Sequence, residues 1–144
     1  MPEPRTMVET FDAPVEPESL DLVHDRLEAF WSHDESVSVV DRMRFEMAVV
    51  EIVANILEHA FKLDAKARGR LLTVVLTLAP DQIEAVLSDN GLPAEIDLGA
   101  VTMPGEDATS GRGLALAVAA IDEVTYDRVG GRNHWRLTCR RSAT

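Results

Sequence analysis

One segment of the chain, residues 45–61, would be apolar around most of its circumference if it formed a helix. At about 100° per residue, one apolar stripe consists of Met43, Met47, Val50, Ala54, Leu57 and Phe61. The opposite stripe consists of Phe45, Val49, Ile52, Val53, Ile56 and Ala60. A polar column between the stripes contains Glu51, Asn55 and His59, which lie one turn apart. The pattern predicts a helix inside a fold, whose polar column faces water, a partner or a ligand.

Short apolar runs bounded by turn residues predict the strands of a sheet. The four stronger runs are residues 71–79, 82–89, 123–129 and 132–140. Pro80-Asp81 joins the first two runs and Gly130-Gly131 joins the last two, so each pair is typical of an antiparallel hairpin. A weaker alternation in residues 5–12 predicts a short edge strand at the beginning of the chain.

Capping residues indicate where the helices begin. Ser19 or Asp21 would cap a helix that ends at Trp31, and Ser38 would cap the long helix. A third helix, rich in Leu and Ala, opens at Gly111 after the irregular residues 90–110. This order of elements predicts an α+β fold, a two-layer sandwich with helices on one face of a mainly antiparallel sheet. We expect one domain spanning residues 1–144.

Composition and charge narrow the possible partners. The chain is 46% hydrophobic and 27% charged, as expected for a globular protein. Its 14 basic and 25 acidic residues give a formal net charge of −11, which argues against direct nucleic-acid binding and against an anionic membrane surface. A nucleotide is still compatible with this charge, because backbone donors and Mg²⁺ hold phosphates on acidic proteins.

The cysteine content and the N-terminal segment bear on the compartment. Cys139 is the single cysteine, so no intrachain disulfide is possible. The first eighteen residues lack the apolar core of a signal peptide, and no run reaches the length of a membrane span. We therefore expect a cytoplasmic protein.

The polar column of the long helix carries the first chemical motif. The side-chain oxygen of Asn55 is a hard ligand suited to Mg²⁺, and Glu51, one turn earlier, is placed to accept a proton from an attacking hydroxyl or water. His59 is interpreted as a structural residue with satisfied hydrogen bonds. The alternative interpretation of the whole column is a narrow solvated face.

The second motif, Asp89-Asn90-Gly91, follows an apolar strand. Asn-Gly after such a run is typical of a hairpin turn. Pro93 would interrupt the pairing of a following strand, which favours a different interpretation. In that interpretation Asp89 accepts a hydrogen bond at the strand end, and Gly91 allows a flat group to approach the backbone. The amino group of adenine is a donor of this kind.

The third motif is Gly111-Arg112-Gly113-Leu114, at the beginning of the third helix. Glycines at a helix N-terminus leave free amides for an anion, so the motif fits a phosphate site. Neither a dinucleotide fingerprint nor a Walker loop matches it. The alternative is an ordinary helix start after a flexible loop. Taken together, the three motifs describe a nucleotide pocket.

The three motifs resemble those of the GHKL or Bergerat-fold ATPases, and within them the anti-sigma factor serine kinases. The sequence from Glu51 to Ala60 is similar to the N box of that family, Asp89-Asn90-Gly91 to its adenine box, and the sequence from Gly111 to Ala117 to its second glycine box. The resemblance covers residues 20–139. Two departures are a missing second glycine in the adenine box and the lack of a phosphoacceptor-histidine domain, which argues against a sensor histidine kinase.

The resemblance implies ATP and Mg²⁺ as cofactors and assigns roles by position. Glu51 would be the general base, Asn55 the Mg²⁺ ligand and Asp89 the acceptor for the adenine amino group. The residues that would shape the pocket or bind near the phosphates are Gly91, Gly111, Arg112, Gly113 and Leu114. Residues 93–110 would form the ATP lid. No motif of the closing hairpin matches the family.

The function implied is a protein-serine kinase that phosphorylates an antagonist protein and alternatively holds a sigma factor or similar regulator. The family also suggests a homodimer. A second hypothesis is a non-catalytic module that binds ATP only to set its conformation. A third is a structural domain in which the three motifs occur by coincidence.

Overall fold

The computed structural model describes residues 6–63, 66–93 and 112–142. These residues form a five-stranded antiparallel sheet in the order β1-β2-β3-β5-β4 and three α-helices. The strands are β1 (Met7–Pro14), β2 (Leu71–Leu78), β3 (Gln82–Asp89), β4 (Glu123–Val129) and β5 (Arg132–Arg140). The helices are α1 (Ser19–Trp31), α2 (Val39–Leu63) and α3 (Arg112–Ala120). The predicted α+β sandwich is confirmed, and β1 is the edge strand expected near the N-terminus.

Strict alternation in the central strands separates the buried face of the sheet from the other face. On β2, Leu72, Val74, Leu76 and Leu78 are buried, whereas the residues between them are partly exposed. The helices cover the buried face, and Phe30 from α1 and Phe45 from α2 are fully enclosed in the shared core. This one-sided coverage follows from the period of two in a strand, which directs alternate side chains to opposite faces.

Helix α2 is less enclosed than the prediction of a helix inside the fold, because its second apolar stripe is buried at Leu57 but not in the first half of the helix. Phe45, Val49 and Ile52 are inaccessible to solvent. On the other stripe, however, Met43 is 64% exposed and Met47 is 44% exposed. The helices form a single layer on the sheet, so the outward side of α2 has no second layer to cover it.

The predicted caps are correct for one helix and wrong for the other. The Ser38 hydroxyl accepts a 3.1 Å hydrogen bond from the backbone N–H of Asp41, as an N-cap does. Helix α1 begins at Ser19 itself, and the preceding Glu18 makes no side-chain cap. The Ser19 hydroxyl instead donates to the carbonyl of Pro14, which ties the start of α1 to the end of β1.

Both predicted hairpins are present. Gly130 and Gly131, at the tip of the β4–β5 hairpin, have φ angles of 60° and 75°, which residues with a Cβ rarely adopt. Asp89-Asn90-Gly91 is not a hairpin turn, because the sheet neighbours of β3 are β2 and β5. The second interpretation of that motif, a carboxylate at a strand end, is therefore the one the fold allows.

Arg44 connects α2 to the end of α3. Its guanidinium donates a 2.8 Å hydrogen bond to the carbonyl of Ala120 and lies 3.3 Å from Asp41 and 3.5 Å from Asp122. These contacts fix the position of α3 relative to the helix that carries Glu51 and Asn55.

Within the described residues, every helix falls short of the length or the apolar character that a membrane span requires.

Candidate functional site

Three pieces of backbone contribute to the candidate site: the outward side of α2, the end of β3 and the beginning of α3. The helix α2 packs against β3, β5 and α3, so these elements lie side by side in the fold. The three parts of the candidate site therefore lie on neighbouring elements.

Glu51 and Asn55 form the first part of the site. Both side chains are partly exposed, and they lie one turn apart on the same face of α2. Among the described residues, no hydrogen bond or ion pair uses either side chain. The Glu51 carboxylate and the Asn55 amide oxygen are therefore open to a ligand. Both are hard oxygen donors of the kind that Mg²⁺ prefers.

Protein groups alone do not form a metal site in the described ranges. No group of three or more His, Cys, Asp or Glu side chains lies close enough together there to hold a metal ion. A Mg²⁺ ion bound through Asn55 would therefore take other ligands from water and phosphate oxygens, which is the usual arrangement for this ion at nucleotide sites.

His59 differs from the expectation of a residue with satisfied hydrogen bonds. Its Nε2 atom is buried and has no hydrogen-bond partner in the described part of the structure. It follows Asn55 by one turn, so the polar column continues inward from the exposed pair. The sequence placed His59 on the correct face of the helix, but it did not predict this unpaired nitrogen.

Asp89 is the second part of the site. It is the last residue of β3, and only 4% of it is exposed. Its Oδ1 atom accepts a 2.8 Å hydrogen bond from the backbone N–H of Gly91 and a 2.9 Å bond from the amide of Asn133. Two donors on one oxygen hold the carboxylate in a fixed orientation.

Asn133 on β5 was missed by the sequence analysis. It lies opposite Asp89 in the antiparallel register, and only 4% of it is exposed. Its side-chain nitrogen donates to Asp89 and also, at 2.8 Å, to the carbonyl of Leu92. A signal was present, because the period of two places Asn133 in the same buried column as Trp135, Leu137 and Cys139. A polar residue in an otherwise apolar column indicates a specific role.

Arg128 and Tyr126 on β4 complete the surroundings of Asn133. The guanidinium of Arg128 donates to Asn133 Oδ1 at 3.1 Å and to the carbonyl of Gly91 at 2.7 Å. The Tyr126 hydroxyl also donates to Asn133 Oδ1. All four hydrogen bonds that an Asn side chain forms are thereby made, two as donor and two as acceptor. The closing hairpin, to which the sequence assigned no role, holds the strand end that carries Asp89.

The beginning of α3 is the third part. Arg112 and Gly113 lie in its first turn, and Leu114 packs against the hydrophobic core. Gly111 and most of the predicted lid, residues 94–110, lie outside the described residues. The first backbone amides of a helix are donors without an intrahelical partner, so this end is suited to an anion.

Together these groups suit a ligand with three different parts. A buried carboxylate fits an amino donor, and the first amides of a helix fit phosphates. The partly exposed Glu51 and Asn55 fit a proton to be removed and a cation.

Comparisons with known proteins bear on the family and the fold of the chain. The family model of the histidine kinase-like ATPase domain matches residues 13–139. The structure of the RsbU and RsbW domains of Rv1364c from Mycobacterium tuberculosis matches with a TM-score of 0.69 and 19% identity, over 96% of this chain and 33% of that one. The structure of the SiaB–SiaC complex from Pseudomonas aeruginosa matches with a TM-score of 0.61 and 14% identity, over 92% of this chain and 89% of that one.

At these identities the two solved structures establish a shared fold. This chain spans about a third of the Mycobacterium tuberculosis chain. A comparison with curated protein sequences finds no match. The family model, by contrast, covers most of the chain and includes the N-box and adenine-box residues, in agreement with the resemblance stated from the motifs. The chain belongs to the histidine kinase-like ATPase domain family, within the GHKL ATPases.

Proposed function

We propose that this chain is a protein-serine kinase of the anti-sigma factor type, which transfers phosphate from ATP to a small antagonist protein. The observation that carries the proposal is that Glu51 is present one turn before Asn55, on the open face of α2, in an ATPase-family domain. A carboxylate at this position is placed to accept a proton from an attacking hydroxyl.

In the proposed reaction Glu51 accepts the proton of the serine hydroxyl as the serine oxygen bonds to the γ-phosphorus. The bond from that phosphorus to the bridging oxygen breaks, and ADP leaves with the electron pair. Phosphoserine and ADP are the products, and the proton remains on Glu51 until water removes it. The partial exposure of Glu51 is compatible with access by a protein substrate from solvent.

The remaining site residues bind and orient the nucleotide. Asp89 would accept a hydrogen bond from the adenine amino group, and Gly91 would allow the base to approach. Asn55 would hold Mg²⁺, which neutralises charge on the phosphates when bound. The amides at the beginning of α3, with Gly111, Arg112, Gly113 and Leu114, would contact the phosphates, and residues 93–110 would close over them.

A protein substrate is supported by the outward surface of α2. Its exposed apolar residues, here called the methionine face, are Val39, Val40, Met43 and Met47, each at least 44% exposed. At about 100° per residue, Val40, Met43 and Met47 lie within about 80° of Glu51 around the helix. Exposed apolar surface of this kind typically marks a protein contact. We propose that the serine-bearing antagonist docks on the methionine face, so that its hydroxyl reaches Glu51.

The solved relatives are consistent with a protein partner. One relative carries RsbU and RsbW domains together, and the other was solved as a complex of SiaB with SiaC. We propose in addition that a sigma factor or similar regulator binds this chain alternatively with the antagonist, and that the chain is a homodimer.

The test is transfer of labelled phosphate. The protein is incubated with γ-labelled ATP, Mg²⁺ and candidate small antagonist proteins, chosen first from the products of neighbouring genes. The same assay is run with Glu51→Gln and with the control Glu28→Gln, an exposed glutamate on α1. We expect label on serine, a decrease of about 10²–10⁴-fold for Glu51→Gln, and no change for the control. ATP binding without transfer would instead identify a non-catalytic ATP-responsive module.

A further inference from the structure

The closing hairpin contacts the candidate base site through the side chains of Asn133 and Arg128. Asn133 is the one buried polar residue on the inward column of β5. Its amide nitrogen joins two parts of the β3 end, Oδ1 of Asp89 at 2.9 Å and the carbonyl of Leu92 at 2.8 Å. Burying an Asn among apolar residues costs free energy unless its polar atoms are hydrogen-bonded, so these bonds account for its place in the column.

The orientation of the Asn133 amide is determined by its surroundings. Its oxygen accepts from the Tyr126 hydroxyl and from the guanidinium of Arg128, which carries only donors. Its nitrogen faces the Asp89 carboxylate and the Leu92 carbonyl, which only accept. Arg128 also donates to the carbonyl of Gly91 at 2.7 Å, so one guanidinium holds both Asn133 and the turn that follows Asp89. An amide flip would place the Asn133 nitrogen against the Arg128 guanidinium, donor against donor. It would also place the Asn133 oxygen against the Asp89 carboxylate, acceptor against acceptor.

The two oxygens of the Asp89 carboxylate therefore have different partners. Both described donors, Gly91 N–H and Asn133 Nδ2, reach Oδ1. A carboxylate oxygen carries no donor and only accepts hydrogen bonds. Oδ2 is then the oxygen available to a ligand, and it can only accept. A base with an amino group at this position fits, and a base with a carbonyl oxygen there does not.

We propose that Asn133 is a positioning residue for base selection, which fixes Asp89 so that Oδ2 accepts from the exocyclic amino group of the nucleotide. Arg128 keeps the Asn133 amide in the required orientation. This inference rests on the proposed function, since it concerns the base of the same ATP.

The experiment compares two nucleotides that differ in one amino group, ATP and purine riboside triphosphate, by calorimetry with Mg²⁺. The quantity measured is the ratio of their dissociation constants. Because only ATP can donate a hydrogen bond from its amino group to Asp89, we expect the wild-type protein to bind ATP about 10- to 100-fold more tightly than the analogue. For Asn133→Ala we expect this ratio to fall below about 3-fold, while affinity for the analogue that lacks the amino group changes little.

Matched variants separate positioning from general damage to the hairpin. Arg128→Ala should lower the ratio at least about 3-fold, and it serves as the test if Asn133→Ala does not fold. Arg132→Ala changes an arginine of the same hairpin that makes no hydrogen bond or ion pair to residues 89–92 in the described structure, and it should leave the ratio unchanged. A purely structural role for Asn133 would weaken both nucleotides equally and leave the ratio intact.

The outcomes distinguish this inference from the proposed function. A wild-type ratio above 10 that persists in Asn133→Ala, or in Arg128→Ala if only that variant folds, overturns the positioning role and leaves the kinase proposal standing. Equal binding of the two nucleotides by the wild-type protein overturns the role of Asp89 and, with it, that of Asn133. Failure of the wild-type protein to bind either nucleotide overturns both proposals.

Discussion

The backbone N–H of Ser142 donates a 2.7 Å hydrogen bond to Oδ2 of Asp41, and the Ser142 hydroxyl donates a 2.9 Å bond to Oδ1. The two residues are 101 positions apart in the sequence, and the Asp41 side chain is only 1% exposed. Asp41 stands in the first turn of α2, where a carboxylate also interacts favourably with the helix dipole. This contact attaches the end of the chain to the helix that carries Glu51 and Asn55.

Loss of the Asp41 charge should destabilise the protein in a pH-dependent way. Burial raises the pKa of the Asp41 carboxyl, but hydrogen bonds from Ser142 and Ser38 and the charge of Arg44 outweigh burial and hold the pKa below its usual value. A lowered pKa in the folded state means that the stabilisation is complete above about pH 4 and is lost as the pH falls further.

Urea unfolding of Asp41→Asn at pH 7 and at pH 3 tests this expectation. At pH 7 the variant should lose about 1–3 kcal/mol, because Ser142 N–H then faces an amide that does not accept as a carboxylate does. The difference from the wild-type protein should shrink at pH 3. Asp25→Asn, an exposed aspartate on α1, is the control and should behave as the wild type at both values. A difference that is equal at both pH values would contradict the argument.

The turn of the closing hairpin should tolerate a side chain poorly. Gly131 has a φ of 75°, and no atom lies within 4 Å of the position a Cβ would take. The cost of Gly131→Ala is therefore conformational and should be about 1–2 kcal/mol in the free energy of unfolding. Gly69→Ala also meets open space but has no positive φ, so it should change stability by less than about 0.5 kcal/mol. Equal effects of the two variants would refute this account of the turn.

The methionine face should matter for the protein substrate and not for the nucleotide. The double variant Met43→Gln, Met47→Gln keeps side-chain length and should raise the KM for the antagonist by about tenfold or more, as expected for interface anchors. Its ATP affinity should not change, and its stability should change by less than about 0.5 kcal/mol, because both residues are exposed. Val8→Gln, which changes an exposed valine on β1, is the control. An unchanged KM would show that the antagonist docks elsewhere.

The periodicity of the sequence predicted the elements well for physical reasons. Strands β2 and β3 alternate strictly, because one face of the sheet is covered and the other is not, and the pattern therefore fixes both their extent and their inward side chains. The position of Asp89 at a strand end followed from Pro93 and from the lack of a resumed strand. The placement of Glu51 and Asn55 on one face of α2 followed from their four-residue spacing.

Other features depended on contacts between distant parts of the chain. Helix α2 is apolar on two stripes, and nothing in its own sequence says that Met43 and Met47 of one stripe are exposed whereas Leu57 of the same stripe is buried. The contacts of Asp41 with Ser142 span 101 residues and form only once the sheet has assembled. Asn133 is an intermediate case, since its place in the buried column of β5 was readable, but its partner Asp89 depended on the register between β3 and β5.

The most direct test of the central proposal is the binding of ATP to Asn55→Ala, measured by calorimetry with and without Mg²⁺ and compared with the wild-type protein and Glu28→Ala. If Asn55 holds the metal at a nucleotide site, the wild-type protein and the control will bind ATP in a Mg²⁺-dependent manner, and Asn55→Ala will bind at least about tenfold more weakly. Equal binding by all three proteins, or no Mg²⁺-dependent binding by the wild-type protein, would contradict the account.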